Sequence, residues 1–514
     1  MPHRTFARII SFVCLIAVAA VASAAPATQP ASQPATRPAT LPSGPNKELE
    51  RKVTALTRKA IQLMEKSKLE EAEPVLIEAL KLDPNHTTNL YNFACLMALR
   101  GKSDTAMIFL EKAAENGWTD FTHLGRDPDL KRLRDLPRYK DLVARKDVFQ
   151  KRAAEKALAA LKAQFGEKYL YELDEERKLI FATNTDKATL TELKHALQAQ
   201  AASQWAELFT NKPDEFISVV LPSPADYKKL IRIPGVGGLY SDTDKILVAQ
   251  KLGQVITHEF THALHAADRA PLGQDHPIWI AEGLASMYEA ARYEDDRLVP
   301  HDNFRLNSLQ AAAKSGRLIP LSKLVDMKQP EFVGRANLAY GQSSSVMLYL
   351  YEQGVLREWY NAYKAGYDKD ANGRRALETV TKQSLEDFEK AWIKWMTGRK
   401  PFQRNTGADG VVIGATLDDA NDGMLVKQVL AGGPAATAGL RDGDLVVGIA
   451  DIAVRDFDSF VPVLLQFKAG DKVMLKVRRE GKYLDLPLVL AKRTEMLDKV
   501  VERSTTRPST RPAK

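Results

Sequence analysis

The stretch that decides the reading runs from Leu252 to Ala267, LGQVITHEFTHALHAA. Its apolar composition is that of a buried helix, and within it stand His258, Glu259 and His262. Residues four apart on a helix share a face, so both imidazoles can reach one ion at ~2.0–2.1 Å. Glu259, turned about 100° from His258 around the helix, can reach a water on that ion in place of the ion itself. Neutral imidazoles suit Zn2+, and three protein ligands leave a fourth position for a water whose pKa falls to ~7 on the metal. Glu259 is then placed to take that proton and return it.

Glu282 supplies the third ligand, in HPIWIAEGLASMYE at residues 276–289, where Pro277 can open a second helix. Gly283 and its small neighbours allow close helix approach, and the 19 residues between His262 and Glu282 let the chain turn back. A competing scheme, the metzincin pattern HExxHxxGxxH with Asp in last place, would make Asp268 the ligand. The glycine that lets the chain turn is replaced there by His265, so Glu282 is preferred. His265, Thr261, Ser286 and Glu289 are expected to pack or to orient ligands.

HEFTH, the WIAEGLA stretch at 279–285 and AYGQSSSVMLYLYEQG at 339–354 together resemble the gluzincin group of zinc metallopeptidases. They are closer still to bacterial peptidase MA-like families, and the resemblance covers roughly Phe216 to Trp395. It implies His258, His262 and Glu282 as ligands of one Zn2+, Glu259 as acid/base, and Tyr340 as a donor to a developing oxyanion. The Gly-x-Met-Glu-Asn stretch with which aminopeptidases of this group hold a free amine is missing upstream of His258. Amino-terminal trimming is therefore not implied, and Gly238-Leu239-Tyr240 reads as a strand rim for an extended peptide.

Around this centre the chain reads as mixed. Asp147–Phe165 and Lys187–Phe209 are predicted helices, Tyr169–Asn184 a hairpin, Phe216–Leu221 a strand, and Gly238–Val248 short β pieces around Asp242. Upstream, Leu56, Ala60, Ala72, Leu76 and Ala79 recur 34 positions later as Leu90, Ala94, Ala106, Leu110 and Ala113. That helix–turn–helix period resembles the tetratricopeptide repeat (TPR), with a degenerate third unit around Leu124–Val143. Such a solenoid offers either a concave surface for a polypeptide or a brace for its neighbour.

Downstream, AGGPAATAGLRDGDLVVGI at 431–449 resembles the PDZ domains of exported bacterial proteases. The resemblance implies capture of a peptide C-terminus at Val411, Val412, Ile413 and Gly414, with helix Phe457–Phe467 as the far wall. Packing of this module to regulate access to the metal is the other use the sequence allows.

The chain has 514 residues, 45% hydrophobic and 27% charged, enough for three or four domains and against both wholesale disorder and a multi-span membrane protein. Its net charge of +8 is spread without a clustered patch, so no nucleic-acid partner is expected. Cys14 and Cys95 are the only cysteines, and Cys14 falls in an expected leader, so no disulfide is expected to hold the fold. Residues 1–24 read as a signal peptide ending at Ala22-Ser23-Ala24, followed by a Pro/Ala/Thr-rich linker at 25–46 and matched by a basic tail at 494–514.

The expectation is a multidomain protein: an α-helical TPR-like solenoid (47–146), an α+β zincin-like metallopeptidase domain (147–402) and a small β-rich PDZ domain (407–493). It is exported to the periplasm or beyond, with no transmembrane span in the mature chain, or is tethered if the leader is kept. The expected function is zinc-dependent peptide hydrolysis on polypeptides gathered by the flanking modules. The alternative is a catalytically silent peptide-binding scaffold of the cell envelope.

Overall fold

Two helical hairpins open the described chain: α1 (Lys47–Glu65) packs on α2 (Leu69–Leu82), and α3 (Thr87–Leu99) on α4 (Ser103–Glu115), with α2 against α3. The structure, a computed structural model, describes residues 47–496 apart from 233–235, 295–296, 404–406, 408–409, 421–422 and 451. The leader at 1–24, the linker at 25–46 and tail residues 497–514 lie outside the described residues. The recurring positions face inward: Ala60, Ala72, Leu76 and Ala79 are buried, as are Leu90, Ala94, Ala106, Leu110 and Ala113. Small side chains at the crossings let the helices approach, and Gly101 makes the inner turn at φ +78°.

The expected third unit differs. Pro128 opens a 3-10 segment (Pro128–Leu133) after the short α5 (Phe121–Arg126), and Pro137 opens α6 (Pro137–Ala144). Proline lacks the N–H and fixes φ, so it starts helices here and prevents one long helix from forming. Helix α7 (Lys146–Phe165) follows and packs on the first strands of a sheet.

That sheet has the order β1-β2-β3-β5-β4: β1 (Leu170–Asp174), β2 (Leu179–Thr183), β3 (Ile217–Leu221), β4 (Gly238–Ser241) and β5 (Ile246–Ala249). Strands β2, β3 and β5 run parallel, while β1 and β4 are antiparallel to their neighbours. The parallel strands are unbroken buried runs, LIFAT, ISVVL and ILVA, as strands covered on both faces must be. Helix α8 (Lys187–Glu207) lies between β2 and β3 in sequence, and α9 (Pro224–Leu230) between β3 and β4. The two helices of the motif follow as α10 (Gln254–Arg269) and α11 (Ile278–Tyr288), the latter with Pro277 as its N-cap.

A hairpin of β6 (Arg292–Glu294) and β7 (Arg297–Val299) leads to α12 (Arg305–Lys314), α13 (Leu321–Leu324), α14 (Gln329–Gly334) and α15 (Ala336–Glu352). Helices α16 (Leu356–Gly366), α17 (Arg374–Thr381) and α18 (Leu385–Gly398) complete the helical part. Helix α15 packs along α11, and Gly283 sits where they meet: a Cβ there would stand 3.0 Å from the Ser343 carbonyl oxygen.

The C-terminal module is a sheet of order β14-β13-β11-β10-β9. Its elements are β8 (Val411–Val412), β9 (Ala415–Asp419), β10 (Met424–Val429), α19 (Pro434–Thr437), β11 (Leu445–Ile449), β12 (Ile452–Ala453), α20 (Phe457–Leu464), β13 (Lys472–Arg479), β14 (Lys482–Val489) and β15 (Ala491–Lys492). Met424, Val446, Ile449, Phe460, Leu475 and Val477 fill its own core. The far-wall helix ends at Leu464, not Phe467, because the chain tightens there into three-residue turns, Gln466 N–H to Val463 and Phe467 N–H to Leu464.

By packing, the chain forms two units. One takes the chain up to Thr185 with Phe209–Ala249 and His262–Asp275; the other takes Asp186–Leu208, Gln250–Thr261 and the chain from His276 onward. The stretch 147–402 is thus divided between them.

Candidate metal centre and peptide groove

His258 and His262 come from α10 and Glu282 from α11, and one donor atom of each lies within 4.8 Å of the others. All three are almost wholly buried, at 0%, 5% and 1% exposure. His258 Nε2 stands 3.3 Å from Glu282 Oε2. Two corners of a tetrahedron with ~2.0–2.1 Å bonds are ~3.3–3.4 Å apart, so this pair has the spacing of donors sharing one small ion. The donor set, two imidazoles and a carboxylate, suits zinc.

The other nitrogen of His258 is held from outside. Its Nδ1 is 2.8 Å from Glu289 Oε1, and Glu289 is in turn gripped by the Arg305 guanidinium at both carboxylate oxygens. Burial alone would lower the His258 ring, but the Glu282 and Glu289 carboxylates outweigh it and push it up to about 10. Burial likewise works to raise Glu289, but Arg305 and His258 hold it down at about 2. A carboxylate behind a metal-facing histidine fixes the ring and its proton.

Thr261 faces away from the centre. Its hydroxyl donates to the Thr257 carbonyl at 2.8 Å and accepts from Gln200 and Gln204 of α8, while Gln200 also donates to the Thr257 carbonyl. These bonds fix the rotation of α10 about its axis at the histidine turn. Glu259 is fully buried. Tyr340 is buried on α15 with its ring edge against Phe332, centroids 5.2 Å apart, and is not one of the three grouped residues. Ser286 is buried, and among the described residues its hydroxyl has no hydrogen-bond partner, so it packs.

Asp268, the competing ligand, is committed elsewhere. Its Oδ1 accepts the Thr210 N–H at 2.6 Å and the Asn211 N–H at 2.8 Å. His265 stacks on Phe209 at 5.8 Å. Arg305, Gln200 and Gln204 were not found from sequence. They lie on other elements at no fixed offset from the motif, and only the folded chain brings them to it.

In the C-terminal module Val411 and Val412 form β8, paired with β15, and Ile413 is buried. Gly414 has φ +82°, and a Cβ there would come 2.7 Å from Pro434 Cδ, so the position requires glycine. The Ile413 carbonyl accepts the Ala435 N–H at 2.8 Å, which ties this loop to α19. Strand β9 follows directly and ends the sheet order among the described residues, which is where an added peptide strand pairs.

Comparison with known proteins adds two family matches. Residues 411–490 are a PDZ domain, and residues 52–157 match the A/B hydrolase-like, N-terminal domain. A probable periplasmic serine endoprotease, DegP-like, of Rickettsia conorii is 27% identical over 116 residues, 20% of this chain and 23% of that protein. The serine protease Do-like HtrB of Bacillus subtilis is 33% identical over 95 residues, 18% of this chain and 19% of the relative. The chain thus spans about a fifth of the length of these relatives.

Among solved structures, the PDZ domain of a carboxy-terminal protease from Vibrio cholerae in complex with peptide is 30% identical. It covers 16% of this chain and 96% of that one, with a TM-score of 0.15. An HtrA-type protease, AlgW, with decapeptide is 18% identical over 23% of this chain and 34% of that one, with a TM-score of 0.16.

These findings correct two expectations. The whole-chain reading as a zinc metallopeptidase is overturned, because the relatives found are serine proteases. A face with two histidines four residues apart can hold a metal, but it does not say which reaction the protein performs. The TPR reading of 47–146 also gives way, since the helices match the A/B hydrolase-like, N-terminal domain. A 34-residue offset arises whenever two helical hairpins of this length stack, so the period alone did not discriminate.

Proposed function

We propose that this chain is an exported, polypeptide-handling protein of proteolysis, in which the PDZ domain captures the C-terminus of its client and a separate buried centre holds one Zn2+. The observation that carries the first part is the end strand β9 beginning directly after the Val411–Gly414 loop. An extended peptide would pair with that strand and set its carboxylate at the loop. The serine proteases that share similarity with this chain support work on polypeptides, and the periplasmic one among them supports export. No described helix is long and apolar enough to cross a membrane.

His258, His262 and Glu282 would hold the ion, and Glu289 with Arg305 would keep the His258 ring turned so that Nε2 faces it. Zinc bound there would supply Lewis-acid chemistry. Glu259, next to His258 in sequence and fully buried, would accept or release a proton at its carboxylate, and Tyr340 would offer a hydroxyl donor.

The test of capture uses fluorescence anisotropy on the full chain with decapeptides randomised at their last four positions. Peptides with a free carboxylate should bind, and their C-terminal amides should lose affinity. Equal binding by the two forms would overturn capture. The metal is tested by the zinc content of the purified protein.

A further inference from the structure

Within the unit that holds the PDZ domain, the far end of the peptide groove meets the segment that leads into α10. Asp419, the last residue of β9, accepts the Phe457 N–H of α20 at 2.9 Å through Oδ1 and receives Lys251 Nζ at 3.4 Å on Oδ2. Two residues on, Gly253 has φ +86°, and a Cβ there would lie 2.7 Å from Arg455 Cβ. Arg455 reaches across to Glu192 of α8 at 3.0 Å, and Arg478 bonds Asp186 and Thr189 at the start of the same helix. The groove exit is therefore fastened at Lys251, with Gly253 close against Arg455 and α8 as a second anchor.

Direction follows from the two ends of β9. A carboxylate held at Val411–Gly414 lies at the beginning of the strand, so the upstream part of the peptide must leave at Asp419. Five strand residues at ~3.3 Å each accommodate about five peptide residues before the exit. From Gly253 to His258 is five residues of α10 lead-in and helix, ~7.5 Å of rise. We propose that a polypeptide captured by its C-terminus passes from the groove directly onto Lys251–Gly253, so that the PDZ domain presents the segment six to eight residues from the terminus to the His258 end of α10. This rests on the capture reading above. The partner it fits is an unfolded or extended C-terminal segment, because the residues between the captured terminus and the exit must run extended along the five residues of β9.

The experiment uses the full chain and the same free-acid decapeptides, with a benzophenone amino acid at the last residue or at the sixth, seventh or eighth residue from the end. Anisotropy measures binding, and mass spectrometry maps the cross-link after irradiation. The expected result is a principal cross-link within 250–256, and one within 411–415 when the benzophenone sits at the last residue. The variants R455A and R478A, each releasing a bond to α8, should keep peptide affinity and lose the 250–256 cross-link. Saturable binding with the upstream cross-link elsewhere overturns this proposal alone, as does a full cross-link in both variants. Absence of saturable binding, or equal binding of the amides, overturns the capture reading and this proposal with it.

Discussion

Glu289 and Arg305 form a buried ion pair whose purpose is visible in the third group, the His258 ring that Glu289 holds by Nδ1. Removing one partner of such a pair leaves an uncompensated charge out of water, which costs ~3–5 kcal/mol. R305M should therefore lower unfolding free energy by about that amount in urea titrations, and E289Q/R305M should cost less than the sum of the two single changes. An effect of R305M within ~0.5 kcal/mol, the range of ordinary surface changes, would mean the pair does not bear on the buried centre. Asp268 offers a contrasting case. D268A removes the acceptor of two backbone N–H groups and should cost ~1–3 kcal/mol while leaving the metal content unchanged. At this scale the approach of His258, His262 and Glu282 to one another was legible, because a helical spacing of four and a facing helix follow from the sequence. Arg305, Gln200 and Gln204 were not, since distant segments are brought to α10 only by the fold.

Helix α20 shows how an element couples to its surroundings. Its N-cap, Asp456, accepts the Ser459 N–H at 2.9 Å, and Ser459 Oγ closes a reciprocal capping box. Burial pushes the Asp456 carboxyl above its ordinary value of 3.8; Ser459 and Lys251 oppose the shift, and Asp419 adds to it. A carboxyl raised by folding binds its proton more tightly in the native state. Its contribution to stability is present below pH 3.8 and is lost as pH rises through the folded value. D456N keeps a capping oxygen but cannot ionise, so it should flatten the mildly acidic part of the curve of Tm against pH. A D456N curve of unchanged shape would contradict the assigned burial. The elements of the sheet and α10 matched the sequence closely, because periodicity and flanking turn residues locate them. The third helical unit did not, because Pro128 and Pro137 divide it into short helices.

For the whole molecule, the PDZ domain was legible from AGGPAATAGLRDGDLVVGI, whereas its fastening to Lys251 and Glu192 was not, since it joins residues up to 263 positions apart. The reaction class was misread from sequence, because a metal-binding face and a chemistry were taken as one inference. A metal bound only by the native chain adds stability by mass action, ~2.7 kcal/mol at a hundredfold excess over its Kd. Added Zn2+ should raise Tm, and a chelator should return it to the metal-free value. H262A, with one imidazole lost, should show no such response. Whether His258, His262 and Glu282 form one metal site is decided by counting zinc in the purified full chain by elemental mass spectrometry. One Zn2+ per chain is expected in the wild type and in D268A and none in E282A; zinc retained by E282A and lost by D268A would rule this site out.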